Sequence, residues 1–224
     1  YCTTSEKGNI FNKPSKLDPN ARLLVIDLED LREKKDTLLP VLVSLFSQLQ
    51  RRIYKTGRDK KKMFIMDEVM NILGDNPVAA KFVVSGYRMG SRFNCSNVII
   101  AQGVADFYRL DDTKIAYENS ALKLVFKQDP TSLTTFQKEH DVFTASEYSV
   151  LQQFPFPKEV GYSHVLVKGS TFSSFNRLFV DPFTLVAMSS TGEDFQAVEN
   201  YVKSGATYIQ AIDRVAKEHY RGMY

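Results

Sequence analysis

The sequence predicts an α/β protein with a mostly parallel sheet, a hairpin nearer the C-terminus and a helical tail. Apolar runs of strand length alternate with helix-like segments, several of these runs end on polar residues, and the alternation stops after about residue 130. The 224 residues are 43% hydrophobic and 25% charged, which is a globular composition and not a disordered one.

Four strands are expected in the parallel sheet, with right-handed crossovers between them. An irregular lead-in at 1–20 precedes a core at 21–185. The strands are predicted at 23–28, 63–66, 98–101 and 122–126, with helices at 38–55 and from Asn76 to about Met89.

The second half follows a different pattern. Residues 131–153 are weakly helical, and apolar runs at 165–168 and 177–180 predict a hairpin. The tail, 186–224, is predicted to hold two helices. Thr191 and Asp194 form a capping box for the first of them, and Gly205 ends it.

Composition excludes several functional classes. A net charge of +3 is too small to indicate nucleic-acid binding by itself. Cys2 and Cys95 offer neither a disulfide framework nor a metal-ligand spacing, and they fit a reducing compartment. No apolar run approaches the roughly 20 residues of a membrane span. The chain begins at Tyr1 without a signal-peptide pattern, so we expect a piece of a longer polypeptide.

The strongest local signal is the strand 63–66, which closes on Asp67 and Glu68. At the carboxyl edge of a parallel sheet, an acid after a strand faces the crevice where ligands bind. Asp67 there could hold Mg²⁺ against nucleotide phosphates, and Glu68 could orient or deprotonate the attacking water. An apolar strand followed by acidic turn residues is also common without any such site, so this pattern alone leaves both interpretations open.

Gln102 strengthens the catalytic interpretation because it ends the next predicted strand. If the two strands are neighbours, Gln102 and Asp67 share one sheet edge, about 4.8 Å apart laterally. Its amide could sense a terminal phosphate or position a water molecule.

Arg88 and Arg92 lie between the two strands in the sequence. Guanidinium groups bind phosphate well, either within one subunit or in the site of a neighbouring subunit. Cations that complement a helix dipole are the plainer explanation of either arginine.

A basic cluster spans 51–62, where seven of twelve residues are Lys or Arg. It leads into the strand 63–66 from the amino end, away from Asp67. Two interpretations remain open: a solvated turn that complements a helix C-terminus, or a contact with an acidic partner, anionic lipid or DNA.

Several motifs in order resemble the TraC ATPases of conjugative type IV secretion systems over essentially the whole chain. The motifs are the segments 86–94, 98–107, 119–128 and 177–183 and a tail running from Gly205 to 210–212. The resemblance implies a RecA-like P-loop NTPase core that uses ATP and Mg²⁺. It also implies hexameric assemblies at the cytoplasmic face of the inner membrane, where they work with other secretion components in pilus assembly and transfer.

Carried over position by position, Asp67 and Glu68 match the Walker B acids, with Asp67 on the metal. Gln102 matches the sensor glutamine, and Arg88 and Arg92 match the arginine stretch. Ser91 departs from the family because it stands where the first of two adjacent basic residues is usual.

The sequence also lacks a Gly-x-x-x-x-Gly-Lys-Ser/Thr loop. We therefore expect the C-terminal part of the motor domain, inactive by itself. The alternatives are a non-catalytic docking or oligomerisation module and a DNA-pumping coupling protein of the FtsK-HerA class. A phosphate-binding loop upstream would favour a motor, and stimulation by DNA would favour the pump.

Overall fold

The computed structural model describes residues 18, 21–31, 34–68, 70, 81, 84–85 and 90–222. The chain divides into two compact units, one ending at Ser120 and the other beginning at Ala121. Each unit has its own sheet. The division into a core at 21–185 and a tail at 186–224 stays a prediction. Over the described ranges, no helix combines the length and the apolar character needed to cross a bilayer.

Among the described residues, the first unit contains a parallel two-stranded sheet, with one helix before it and another after it in the chain. Strands β1 (Lys62–Met66) and β2 (Cys95–Ile99) pair with Met66 opposite Ile99, so the predicted parallel pairing is confirmed for them. Short 3₁₀ turns lie at Glu29–Leu31, Ser91–Phe93 and Val104–Tyr108. The elements are α1 (Lys35–Lys55), β1 (Lys62–Met66), β2 (Cys95–Ile99) and α2 (Asp111–Glu118).

Helix α1 covers one face of β1. Leu38, Leu42 and Phe46 lie on one side of the helix and are buried in a core with Met66. The rings of Phe46 and Phe64 meet edge to face with their centroids 6.2 Å apart. Successive side chains of a strand point to opposite faces. Phe64 and Met66 face the helix, whereas Met63 and Ile65 point to the other face and are 66% and 55% exposed.

The helix begins three residues earlier than predicted. Pro40 therefore lies inside the helix, in its second turn. Because proline has no backbone N–H, one hydrogen bond of the helix is missing at this position.

The predicted strand at 23–28 is wrong for the described residues. This segment pairs with no other described segment, and Leu23 and Val25 are each 80% exposed. Only alternate residues are partly buried, and Leu28 packs against the core of α1. An apolar run of strand length makes a strand only where another strand offers its backbone groups. The helix predicted from Asn76 to Met89 lies mostly outside the described residues, although Lys81, Val84 and Ser85 are helical.

The second unit is built on an antiparallel sheet in the order β3-β4-β5. The predicted hairpin and the two tail helices are confirmed, although the second hairpin strand begins at Ser173. The strands are β3 (Leu122–Val125), β4 (Ser163–Gly169) and β5 (Ser173–Leu178). The helices are α3 (Pro130–Glu139), α4 (Ala145–Gln152), α5 (Pro157–Val160), α6 (Pro182–Ala187), α7 (Gly192–Lys203) and α8 (Tyr208–His219).

The prediction that 122–126 continues the parallel sheet is wrong. Strand β3 pairs antiparallel with β4, and Val125 lies opposite Leu166 on the buried face. Leu122 and Leu124 are exposed. A strand covered on one face suits an antiparallel sheet, whereas central parallel strands are covered on both.

A buried carboxylate joins α4 to the hairpin. Glu147 accepts hydrogen bonds from Lys168 Nζ at 2.7 Å, Ser173 Oγ at 2.6 Å and the Thr144 N–H at 2.8 Å. Burial alone would raise the pKa of Glu147, but these donors outweigh it and hold the pKa at about 2.

A second buried carboxylate joins α7 to the end of α8. Asp194 accepts from Ser189, Thr191 and Tyr220, and its Oδ1 lies 2.7 Å from His219 Nδ1. Burial raises its pKa and the hydrogen bonds lower it, with a net value of about 2. The predicted capping box is wrong, because the Thr191 hydroxyl donates to Asp194 and caps no backbone N–H.

Two cations of the basic cluster hold backbone carbonyls. Lys62 Nζ donates to the carbonyls of Thr56, Gly57 and Phe93 at 3.3, 3.0 and 2.8 Å. Arg52 donates to the carbonyls of residues 18 and 21. Lys62 thus satisfies carbonyls just beyond the end of α1, which supports the solvated-turn interpretation for this part of the cluster. The other five cations of the cluster are exposed: Arg51, Lys55, Arg58, Lys60 and Lys61.

Replacing Lys62 by Met should lower the free energy of unfolding by about 1–2 kcal/mol, because three carbonyls lose a charged donor. Lys61→Met is the matched control, and it should change stability by less than about 0.5 kcal/mol since Lys61 is exposed. Urea denaturation of both variants measures the difference. Equal stabilities would contradict a structural role for Lys62.

Stability should fall as the pH drops from about 4.5 towards 2, because the folded-state pKa of Glu147 is depressed. Its contribution, about 3 kcal/mol, is fully present above the unfolded pKa and is lost as the carboxylate takes up a proton. Glu147→Gln should remove that part of the pH dependence in denaturation experiments. Glu139→Gln, at an exposed carboxylate, should leave the pH dependence unchanged, and an unchanged slope in Glu147→Gln would contradict the assignment.

Candidate active site

The two segments that carry the predicted site leave the sheet at the same edge. Strand β1 ends at Met66 and β2 ends opposite it at Ile99. The Ile100 N–H donates to the Met66 carbonyl at 2.9 Å, which continues the pairing one residue further. Asp67 and Glu68 therefore follow one strand where Gln102 follows its neighbour, as the sequence predicted.

Gln102 and Glu68 are in direct contact. Gln102 Nε2 donates a hydrogen bond to Glu68 Oε1 at 3.2 Å, although the residues are 34 positions apart in sequence. Both side chains are exposed. The contact brings together a carboxylate, which can take a proton, and an amide, which can donate to an anion. Their chemical roles stay predictions.

Glu68 has a left-handed backbone conformation, with φ at +46°. A residue with a Cβ is strained in this region, and strain of this kind is concentrated at functional turns. The turn aims the Glu68 side chain towards Gln102. Sequence patterns missed this feature, because neither a glycine nor an asparagine marks the position.

Asp67 precedes Glu68 and is exposed. An exposed carboxylate at this edge fits Mg²⁺, which binds hard oxygen donors and needs only one or two protein carboxylates beside phosphates and water. Among the described residues, no three His, Cys, Asp or Glu side chains form a group that could hold a metal ion. The role of Asp67 as a metal ligand stays a prediction.

Asp106 organises the loop that follows Gln102. Its carboxylate accepts from the Gly103 N–H at 2.9 Å and pairs with Arg109 at 2.9 Å. The backbone directly after Gln102 is fixed by this contact. The sequence motif included Asp106 without assigning it a role, and an Asp three residues after the start of a turn is the signal that could have indicated one.

The structure does not bring Arg92 to this edge. Arg92 lies in the 3₁₀ turn directly before β2, at the amino end of the strand, and is exposed. From Cys95 to Ile99 the strand rises about 13 Å, so Arg92 is at the opposite edge from Asp67. Arg88 lies outside the described residues.

Glu68→Gly should be more stable than Glu68→Ala by about 1 kcal/mol, because only glycine adopts a positive φ without strain. Both variants remove the carboxylate, so their difference in urea denaturation isolates the backbone. The same pair at Asp67, whose φ is not positive, should show the reverse order. A Glu68→Gly variant no more stable than Glu68→Ala would contradict the left-handed turn.

Comparison with known proteins identifies a curated sequence relative and a solved structure of similar fold. No protein-family model matches the chain. The chain is 29% identical to Protein TraC of Escherichia coli (strain K12) over 223 residues, which cover 96% of this chain and 25% of TraC. The structure of VirB4 of Thermoanaerobacter pseudethanolicus superposes with a TM-score of 0.58 and 18% identity. That match covers 75% of this chain and 44% of the VirB4 chain.

The chain thus spans a quarter of the length of the curated relative that it matches. Its sequence is similar to TraC and its fold to VirB4, two findings that rest on different comparisons. The chain is therefore similar in sequence to TraC over nearly its whole length, as the motifs predicted, and it has an α/β fold similar to that of VirB4.

Proposed function

We propose that this chain is part of an ATPase that powers transfer through a conjugative type IV secretion system. The observation that carries the proposal is the contact between Gln102 and Glu68, next to Asp67, at the carboxyl edge of parallel strands. Ligands of open α/β sheets bind at this edge. The similarity to TraC supports the choice of ATP over other phosphate ligands.

In this proposal each side chain has one task. Asp67 holds Mg²⁺, which when bound neutralises charge on the β- and γ-phosphates. Glu68 orients the attacking water and takes its proton. Gln102 donates a hydrogen bond to the terminal phosphate or to that water. The phosphate-binding loop belongs to a part of the parent polypeptide outside this chain, so these 224 residues alone should not hydrolyse ATP.

Arg88 and Arg92 act on the nucleotide of a neighbouring subunit. The location of Arg92, at the opposite edge of the sheet from Asp67, supports a role between subunits more than a role within one. The working form is a homo-oligomer, and we propose a hexamer at the cytoplasmic face of the inner membrane, in contact with other secretion components. An arginine from a neighbour would stabilise charge that develops during phosphoryl transfer.

Glu68→Gln in the full-length parent tests the function. The amide keeps the shape of the side chain and removes the base, so ATP binding should persist while turnover falls by about 10²-fold or more. Binding is measured by calorimetry and turnover by phosphate release. Glu118→Gln is the matched control, since Glu118 is exposed on α2 with a 3.9 Å surface ion pair to Lys114, and it should behave as the parent.

Two outcomes would contradict the assignment of Glu68. Binding lost as severely as turnover would indicate a structural carboxylate. Normal turnover would favour the non-catalytic docking module, in which the acids of this edge have no chemical task.

A further inference from the structure

We propose that Asp106 is a positioning residue for ATP hydrolysis, because its carboxylate holds the peptide group that follows Gln102. The inference rests on the proposed function, in which the Gln102 amide donates to the terminal phosphate or to the attacking water. Asp106 lies in the 3₁₀ turn Val104–Tyr108, directly after the loop that leaves the sheet edge. It needs no contact with the nucleotide, since it acts through Gln102.

One oxygen of Asp106 holds the peptide group between Gln102 and Gly103. Asp106 Oδ2 accepts a hydrogen bond from the Gly103 N–H at 2.9 Å. That N–H lies in the same rigid plane as the Gln102 carbonyl, so the bond restrains rotation about the last backbone bond of Gln102. A hydrogen bond to a charged acceptor is stronger than one between neutral groups. Asp106 therefore fixes the backbone on the far side of Gln102 from the sheet.

On the near side, the sheet fixes the backbone. The Ile100 N–H donates to the Met66 carbonyl at 2.9 Å, two residues before Gln102. Gln102 thus lies between two restrained points of the chain, one in the sheet and one at Asp106. Loss of the second point would leave the sheet as the nearer restraint and would let the Gln102 amide move relative to Asp67 and Glu68. A positioning group that moves by about 1 Å costs up to about 10²-fold in rate.

The turn that carries Asp106 is itself held in place. The side chain of Phe107 packs against the core of α1. The hydroxyl of the buried Thr113 lies 2.8 Å from the Phe107 carbonyl and 2.9 Å from the Leu110 carbonyl, which ties the turn to the start of α2. Asp106 therefore connects Gln102 to a fixed support and not to a free loop.

The other oxygen of Asp106 has a partner of less importance. Asp106 Oδ1 pairs with Arg109 at 2.9 Å, but the Arg109 side chain is 62% exposed whereas that of Asp106 is 17% exposed. An ion pair with an exposed partner contributes little, because water screens it. The hydrogen bond to the Gly103 N–H is thus the part of Asp106 that matters, and an uncharged acceptor should be able to replace the carboxylate.

Steady-state ATP hydrolysis by the full-length parent tests the inference. Asp106→Ala should lower kcat by about tenfold and change KM for ATP by less than about twofold, because Gln102 stays present but displaced. Asp106→Asn should keep kcat within about twofold of the parent, since its Oδ1 still accepts from the Gly103 N–H. Arg109→Met should also keep kcat within about twofold, since only the exposed ion pair is lost.

A double-mutant cycle separates positioning from stability. In a Gln102→Ala background, Asp106→Ala should lower kcat no further, because the amide that it positions is already absent. Lys62→Met is the matched control, since it removes a structural contact at the other edge of the sheet. It should lower the midpoint of urea denaturation and leave kcat unchanged. A merely structural role of Asp106 would lower kcat by the same factor with and without Gln102.

Four outcomes would contradict the inference. A normal kcat in Asp106→Ala, with a low kcat in Gln102→Ala, would overturn the role of Asp106 alone. An equal loss of kcat in both backgrounds would mean that Asp106 acts independently of Gln102. A kcat about tenfold low in a folded Asp106→Asn would mean that the charge matters and not the acceptor, and this variant decides the question if Asp106→Ala does not fold. A normal kcat in Gln102→Ala would remove the proposed task of Gln102, and the role of Asp106 with it.

Discussion

The parallel pairing of β1 with β2 is the constraint on which the candidate site depends. Met66 opposite Ile99 decides which turn residues meet, since the site residues lie one to three positions beyond the paired ends. A shift of one residue would turn alternate side chains to the other face of the sheet. The burial of Phe64 and Met66 under α1 opposes such a shift, because it would expose them and bury Met63 and Ile65 instead.

The sequence was sufficient to predict the part of the site that follows from strand order. Asp67, Glu68 and Gln102 follow apolar runs separated by a helical segment, and that pattern alone indicates one sheet edge. The contact between Glu68 and Gln102 could not be predicted from the sequence, because it depends on a positive φ at Glu68 and no glycine or asparagine indicates one there. Arg92 precedes the strand whether it begins at 98, as predicted, or at Cys95, as found, so its place at the amino edge follows from strand order alone.

The fold predictions failed where pairing was inferred from composition. The run 23–28 and strand β3 are similarly apolar, yet the first pairs with no described strand and the second joins an antiparallel sheet. Apolar content measures the tendency to be buried, whereas sheet membership depends on which backbone edge is available. The hairpin and the tail helices were predicted correctly because turns, caps and helical stripes are local signals. The exception was the predicted capping box at Thr191, because the Thr191 hydroxyl donates a hydrogen bond to the buried Asp194 carboxylate.

The charges of the first unit are separated along β1 and β2. The acidic residues Asp67 and Glu68 lie at the carboxyl edge of the sheet. The basic residues Lys61, Lys62 and Arg92 lie at the amino edge. The strands between them rise about 13 Å, which exceeds the screening length of about 8 Å at physiological salt. A charged molecule near one edge therefore senses that edge alone. The formal charge of +3 is therefore a poor guide to how this sheet attracts or repels other molecules, because its two edges carry charges of opposite sign.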